Sequence, residues 1–163
     1  MVQYTFKVYP KGRGREIYRV FTMSGQDTLD DLCDYILHEF DFSHDHLYEF
    51  CMDNRPYSDY GLEYRDDRWE TQTDIPIEKL RLNKGQKFTL HYDYGDDWLF
   101  VITTQKIEKV DVYHSANTLK TKGVVEQYPD YEEWWGVTTV LMTTLLYFLW
   151  QYWVIKNYSI KGR

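Results

Sequence analysis

Phe88-Thr-Leu-His-Tyr-Asp-Tyr-Gly-Asp-Asp-Trp-Leu-Phe-Val-Ile-Thr-Thr104 reads as two β-strands joined by an acidic turn. Side chains alternate between the faces of a strand. On the first arm Phe88, Leu90, Tyr92 and Tyr94 therefore fall on one face, and Thr89, His91 and Asp93 on the other. On the second arm Trp98, Phe100 and Ile102 alternate with Leu99, Val101 and Thr103, so both faces are fairly apolar there. Gly95 is expected to supply the positive φ of a tight reversal, with Asp96 and Asp97 at flanking turn positions. Three carboxylates, Asp93, Asp96 and Asp97, thus crowd one end of a hairpin beside the Trp98 indole.

Working outward, the chain opens with a second hairpin. In residues 3–9, Tyr4, Phe6 and Val8 alternate with Thr5, Lys7 and Tyr9. Pro10-Lys-Gly-Arg-Gly14 is a turn by composition. In residues 16–22, Ile17, Arg19 and Phe21 alternate with Tyr18, Val20 and Thr22. A helix follows over 28–40, where Leu29, Leu32, Cys33, Ile36, Leu37 and Phe40 keep the spacing of one apolar stripe. Asp27 or Thr28 caps it, and Asp30 and Asp31 complement the helix dipole.

Residues 45–52 return as a third strand. The order strand, strand, helix, strand predicts an α+β fold with a β-grasp-like mixed sheet and the helix on one face. Residues 53–74 read as a polar excursion with a short strand near Leu62–Tyr64 or at Trp69, and Ile75–Leu80 as a helical turn led by Pro76. The second arm of the central hairpin is expected to reach Ile107, and Val110–His114 to continue it or to form a further short strand. Ser115–Lys122 is expected to be loop.

The totals set bounds. A chain of 163 residues suffices for one domain with a core and a short appendage. A formal net charge of −7 opposes non-specific attraction to nucleic acid or anionic membrane, while leaving room for a local basic patch. Cys33 and Cys51 are too few for a disulfide framework and sit in apolar patterns, which places them reduced and buried in a cytoplasmic protein. The N-terminus has the alternation of a strand and no apolar leader.

Composition changes at Trp134. All 26 acidic residues precede it, whereas Trp134–Ile155 is an uncharged run of 22 residues followed by Lys156, Lys161 and Arg163. The chain is therefore divided into a domain over 1–133 and an apolar tail over 134–163. A run of about 20 apolar residues spans a bilayer, but five threonine and glutamine side chains dilute this one. Three readings stand: a packed helix or strand pair, a membrane-associated helix, or an aberrant end from a shifted or truncated frame.

Ile17-Tyr-Arg-Val20, Thr28-Leu-Asp-Asp-Leu32, Asp45-His-Leu-Tyr-Glu-Phe50 and Phe88 through Tyr92-Asp-Tyr-Gly-Asp-Asp-Trp98 occur in that order. Together they resemble the plasmid pRiA ORF-three-like domain family, over about residues 3–133. The resemblance implies an α+β domain found in bacterial and plasmid proteins, some of them associated with mobile elements. It implies no established activity. Members continue with a charged helical segment where this chain turns apolar.

Three candidate sites follow. The acidic turn offers Tyr92, Asp93, Tyr94, Gly95, Asp96, Asp97 and Trp98, with His46 at the entry to the third strand, as a ligand or partner contact. His91, Asp93, Asp96 and Asp97 supply donors suited to Mg²⁺ or Mn²⁺, His91 and Asp93 on one strand face. The competing reading is structural, an aspartate bonded to backbone N–H groups in the turn. In the first hairpin Lys11, Arg13, Arg15 and Arg19, with Lys7, lie among Tyr9 and Tyr18. Cations interleaved with aromatic rings suit nucleic acid. No catalytic residue is assigned, because no nucleophile elbow or phosphate loop occurs. The readings are a cytoplasmic binding module linked to mobile DNA, or a divalent-metal enzyme at the acidic turn.

Overall fold

A computed structural model describes residues 1–64 and 71–128. The expected strand at Trp69 and the apolar run 134–155 lie outside the described residues. The chain divides into two compact units, Met1–Gln127 and Tyr128–Arg163.

The first unit is an α+β layer. Its strands are β1 (Val2–Pro10), β2 (Tyr18–Ser24), β3 (Tyr48–Cys51), β4 (Gly61–Glu63), β5 (Lys87–Tyr92), β6 (Trp98–Lys109) and β7 (Asn117–Lys122), and its helix is α1 (Leu29–Phe40). They form one seven-stranded sheet in the order β4-β3-β5-β6-β1-β2-β7. Every pairing among them is antiparallel. The expected mixed sheet is thus antiparallel, and β3 lies beside β5, with β5 and β6 separating it from β1.

Alternation gives the sheet two unlike faces. Tyr4, Phe6 and Val8 of β1, Phe21 and Met23 of β2, Phe50 of β3, Phe88, Leu90 and Tyr92 of β5, and Phe100 and Ile102 of β6 are buried together with the apolar stripe of α1. The six helix residues picked out by spacing are all buried. Phe40 packs against Phe100 at 5.0 Å between ring centres, and Tyr35 against Phe21 at 4.8 Å. Thr28 caps α1 in a reciprocal box with Asp31, which satisfies two otherwise orphaned N–H groups. The next donors, Leu29 and Asp30 N–H, bond to the carbonyls of Ile75 and Thr73. A 3-10 turn over Ile77–Leu80 follows Pro76, as the proline led one to expect, and buries Ile77.

Two expectations in the C-terminal half fail. Val110–His114 is not a strand, and residues 117–122, read as loop, form the edge strand β7 on β2. Most of β7 is exposed, so it has no apolar alternation to reveal it. Its place comes from the free edge of β2. Among the described residues no helix is long and apolar enough to cross a membrane.

Candidate functional site

The acidic turn is built differently from its sequence reading. Gly95 does not take the left-handed conformation; Asp93 (φ 57°) and Asp97 (φ 52°) do. Aspartate tolerates that region better than most residues because its short side chain bonds locally. Asp93 organises the turn: its carbonyl accepts the N–H groups of Asp96 and Asp97, and its Oδ1 accepts Gly95 N–H at 3.1 Å. Its own N–H donates to Leu47, tying the turn to the chain entering β3.

The reversal sends its side chains to different places. Tyr94 leaves the Phe88 face and packs against His91 at 4.9 Å and Tyr57 at 5.6 Å. Asp93, buried, lies 3.6 Å from His46 Nε2 rather than beside His91. His46 also stands edge-on to the Tyr92 ring, and its N–H donates to the Tyr92 hydroxyl. Trp98 turns to the helix side, 4.7 Å from Phe42. Asp96 and Gly95 stay exposed at the tip.

On the other face, His91 has no solvent exposure at all. Its Nδ1 lies 2.9 Å from Glu49 Oε1 and its Nε2 2.8 Å from Asp97 Oδ1. An ionised carboxylate only accepts, so with both ionised each ring nitrogen donates. The Tyr57 N–H donates to Glu49 Oε1 and its hydroxyl to Asp97 Oδ1. Tyr57 is largely exposed, and partial desolvation, then the bond to Asp97, pushes its phenol up, while burial together with Glu49 does the same to Tyr94. Among the described residues no group of three or more His, Cys, Asp or Glu is disposed to hold a metal ion. Glu49 and Tyr57 were not picked out from the sequence. The available signal was a glutamate inside a strand whose neighbours are all apolar or aromatic.

The first hairpin carries a second constellation. Arg19 belongs to the core, not to the surface. It is buried, donates Nε–H to the Glu39 carbonyl at 2.7 Å, and donates Nη1 to the carbonyls of Tyr18, Lys122 and Gly123 at 3.1 Å each. Its guanidinium lies 4.5 Å from the Phe40 ring centre. Lys11, Arg13 and Arg15 are exposed.

Strand β7 adds two lysines that the sequence did not connect with this hairpin. Register pairs Tyr18 with Lys122 and Val20 with Lys120, so they share the face away from α1. The ammonium groups of Lys7, Lys120 and Lys122 lie 4.4, 5.5 and 6.0 Å from the Tyr18 ring centre. Lys7 and Lys122 also donate to the consecutive carbonyls of Gly14 and Arg15, drawing both toward the turn. A hydrogen bond from Lys120, helped by the surrounding positive charge, lowers the Tyr18 phenol below its ordinary value. Among the described residues no salt bridge involves Lys7, Lys11, Arg13, Arg15, Lys120 or Lys122.

The sequence profile described as Plasmid pRiA4b ORF-3-like protein matches residues 2–142. No curated protein matches the chain. Among the solved structures similar to it is the crystal structure of MM3350, a protein of unknown function from Methanosarcina mazei Go1. The likeness has a TM-score of 0.56 at 24% identity and covers 74% of this chain and 68% of that one. At that identity it shows the fold.

Proposed function

The chain belongs to the plasmid pRiA4b ORF-3-like protein family, and from that premise we propose a binding module whose β1–β2–β7 face takes a phosphate-bearing polyanion, nucleic acid in particular. One observation carries the reading. In a protein of formal net charge −7, half-buried Lys7 of β1 and exposed Lys120 and Lys122 of β7 gather around Tyr18, on the hairpin whose turn exposes Lys11, Arg13 and Arg15, and none of these cations has a salt-bridge partner among the described residues. A like-charged cluster repels itself and is relieved when a polyanion neutralises it. The plasmid origin in the family's name agrees with a link to mobile DNA.

The test is fluorescence anisotropy with a labelled oligonucleotide across a salt series. Binding weakens as salt rises, and Arg13→Glu/Arg15→Glu weakens it about tenfold or more at low salt. Affinity indifferent to both would remove the reading. The rival, a divalent-metal enzyme at Asp93, Asp96 and Asp97, is tested by calorimetry with Mg²⁺, Mn²⁺ and Zn²⁺. Heat that disappears in Asp96→Ala supports it, and absence of heat removes it.

A further inference from the structure

Resting on the polyanion reading, we infer that this face selects unpaired over duplex nucleic acid, with a base stacking on Tyr18 and its neighbouring phosphates held by Lys7, Lys120 and Arg13. The geometry has three parts. First, the ammonium groups around Tyr18 all lie within 6.0 Å of one ring centre. Such a cluster can neutralise the phosphates on either side of a single base lying on that ring. Second, two concavities meet at Lys7. One, of about 670 Å³, is bounded by Tyr9, the Arg13–Arg15 turn and Glu16; the other, of about 510 Å³, by Tyr18, Val20, Leu119 and Lys120. Together they make a path from turn to ring. Third, α1, the α-helix among the described residues, lies on the opposite side of the sheet and exposes Asp31 and Asp34. Carboxylates at those positions repel phosphate, so this helix is unsuited to a major groove.

Lys7 explains how the ring is kept available. Its ammonium lies over Tyr18 and also 5.6 Å from the Tyr9 ring centre. Lys7 and Tyr18 are half-buried, and an ammonium–ring contact at such a site is worth no more than base stacking. An arriving phosphate draws the ammonium off the ring and leaves its face to the base. Bases in a duplex are already stacked on one another and offer Tyr18 no free face. The same ring with no cations beside it would stack too loosely to hold a strand against the acidic remainder of the chain.

The experiment titrates the full chain into a labelled oligothymidine of about a dozen nucleotides and into a duplex of the same length, at low and at physiological salt. Wild type should bind the single strand at least tenfold more tightly than the duplex. Tyr18→Ala should erase that preference, losing about tenfold on the single strand, while Tyr18→Phe keeps it because the ring remains. Salt-sensitive binding of equal strength to both forms overturns the strand preference and leaves the polyanion reading intact. A Tyr18→Ala protein that keeps wild-type affinity for the single strand overturns the role of the ring. No binding of either form overturns both.

Discussion

Glu49 and His91 stand directly opposite each other on neighbouring strands β3 and β5, buried, with Glu49 Oε1 2.9 Å from His91 Nδ1. The second carboxylate on the ring, Asp97, is equally close at 2.8 Å but its side chain is 64% exposed. Burial decides which contact matters. Water competes for Asp97 and screens it, whereas Glu49 has no such alternative. The clamp joins the acidic turn and the Tyr57 loop to the middle of the sheet, which accounts for the carboxylates there without invoking a ligand.

His91→Ala is therefore expected to cost about 3 kcal/mol, because it strands a buried carboxylate. Asp97→Asn should cost under about 1 kcal/mol. Urea unfolding of Glu49→Gln, His91→Gln and the double variant measures the coupling. Coupling within error of zero would show that the pair does not hold the sheet.

Arg19 is expected to act on stability and not on ligand. It satisfies four carbonyls beside Phe40, so Arg19→Met should lose about 2–4 kcal/mol. The salt slope of nucleic-acid binding should stay as in wild type at temperatures where the variant is folded. A stable Arg19→Met protein with a reduced salt slope would return this residue to the surface.

Both cysteines are expected to resist alkylation in the native protein. Burial, reinforced by Glu49, pushes the Cys51 thiol up to about 12, and burial also raises Cys33. A raised value disfavours the thiolate, so at pH 8 the nucleophilic form is scarce as well as covered. Mass spectrometry after iodoacetamide should find both labelled only in denaturant. Rapid labelling of Cys51 in the native state would contradict its placement on β3.

Gly123 should not tolerate a side chain. Its φ is +68°, and a Cβ there would lie 2.5 Å from the Glu16 carbonyl oxygen. Gly123→Ala is expected to lose about 1–3 kcal/mol and, by shifting the end of β7 with Lys122, to weaken oligonucleotide binding. Thermal unfolding and anisotropy read the two effects. An unchanged melting temperature would mean that the chain leaves β7 by another path.

Much of the fold is legible in local pattern. Alternation marked β1, β2, β5 and the start of β6 with the correct buried residues, and three-and-four spacing marked α1 down to its cap. The candidate site was legible only in pieces. Asp93, Asp97, Tyr94 and His91 were singled out and His91 was placed on the face it occupies, but the directions of Asp93 and Tyr94 were not, because two aspartates rather than Gly95 take the left-handed turn conformation. Lys11, Arg13 and Arg15 are exposed, but Arg19, on the same hairpin, sits on an inward position where its carbonyl partners come from elsewhere in the chain.

What the sequence by itself determined is the elements with a strong apolar pattern, β1, β2, α1, β5 and the start of β6, and their inward faces, because side chains two or four residues apart meet whatever the rest of the chain does. The tertiary structure alone decided that β3 pairs with β5, that Glu49 meets His91, and that Lys120 and Lys122 arrive beside Tyr18. These contacts join residues some 40 to 100 positions apart. No short window encodes them; they follow from which exposed strand edge and which apolar face remain to be covered once the elements have formed.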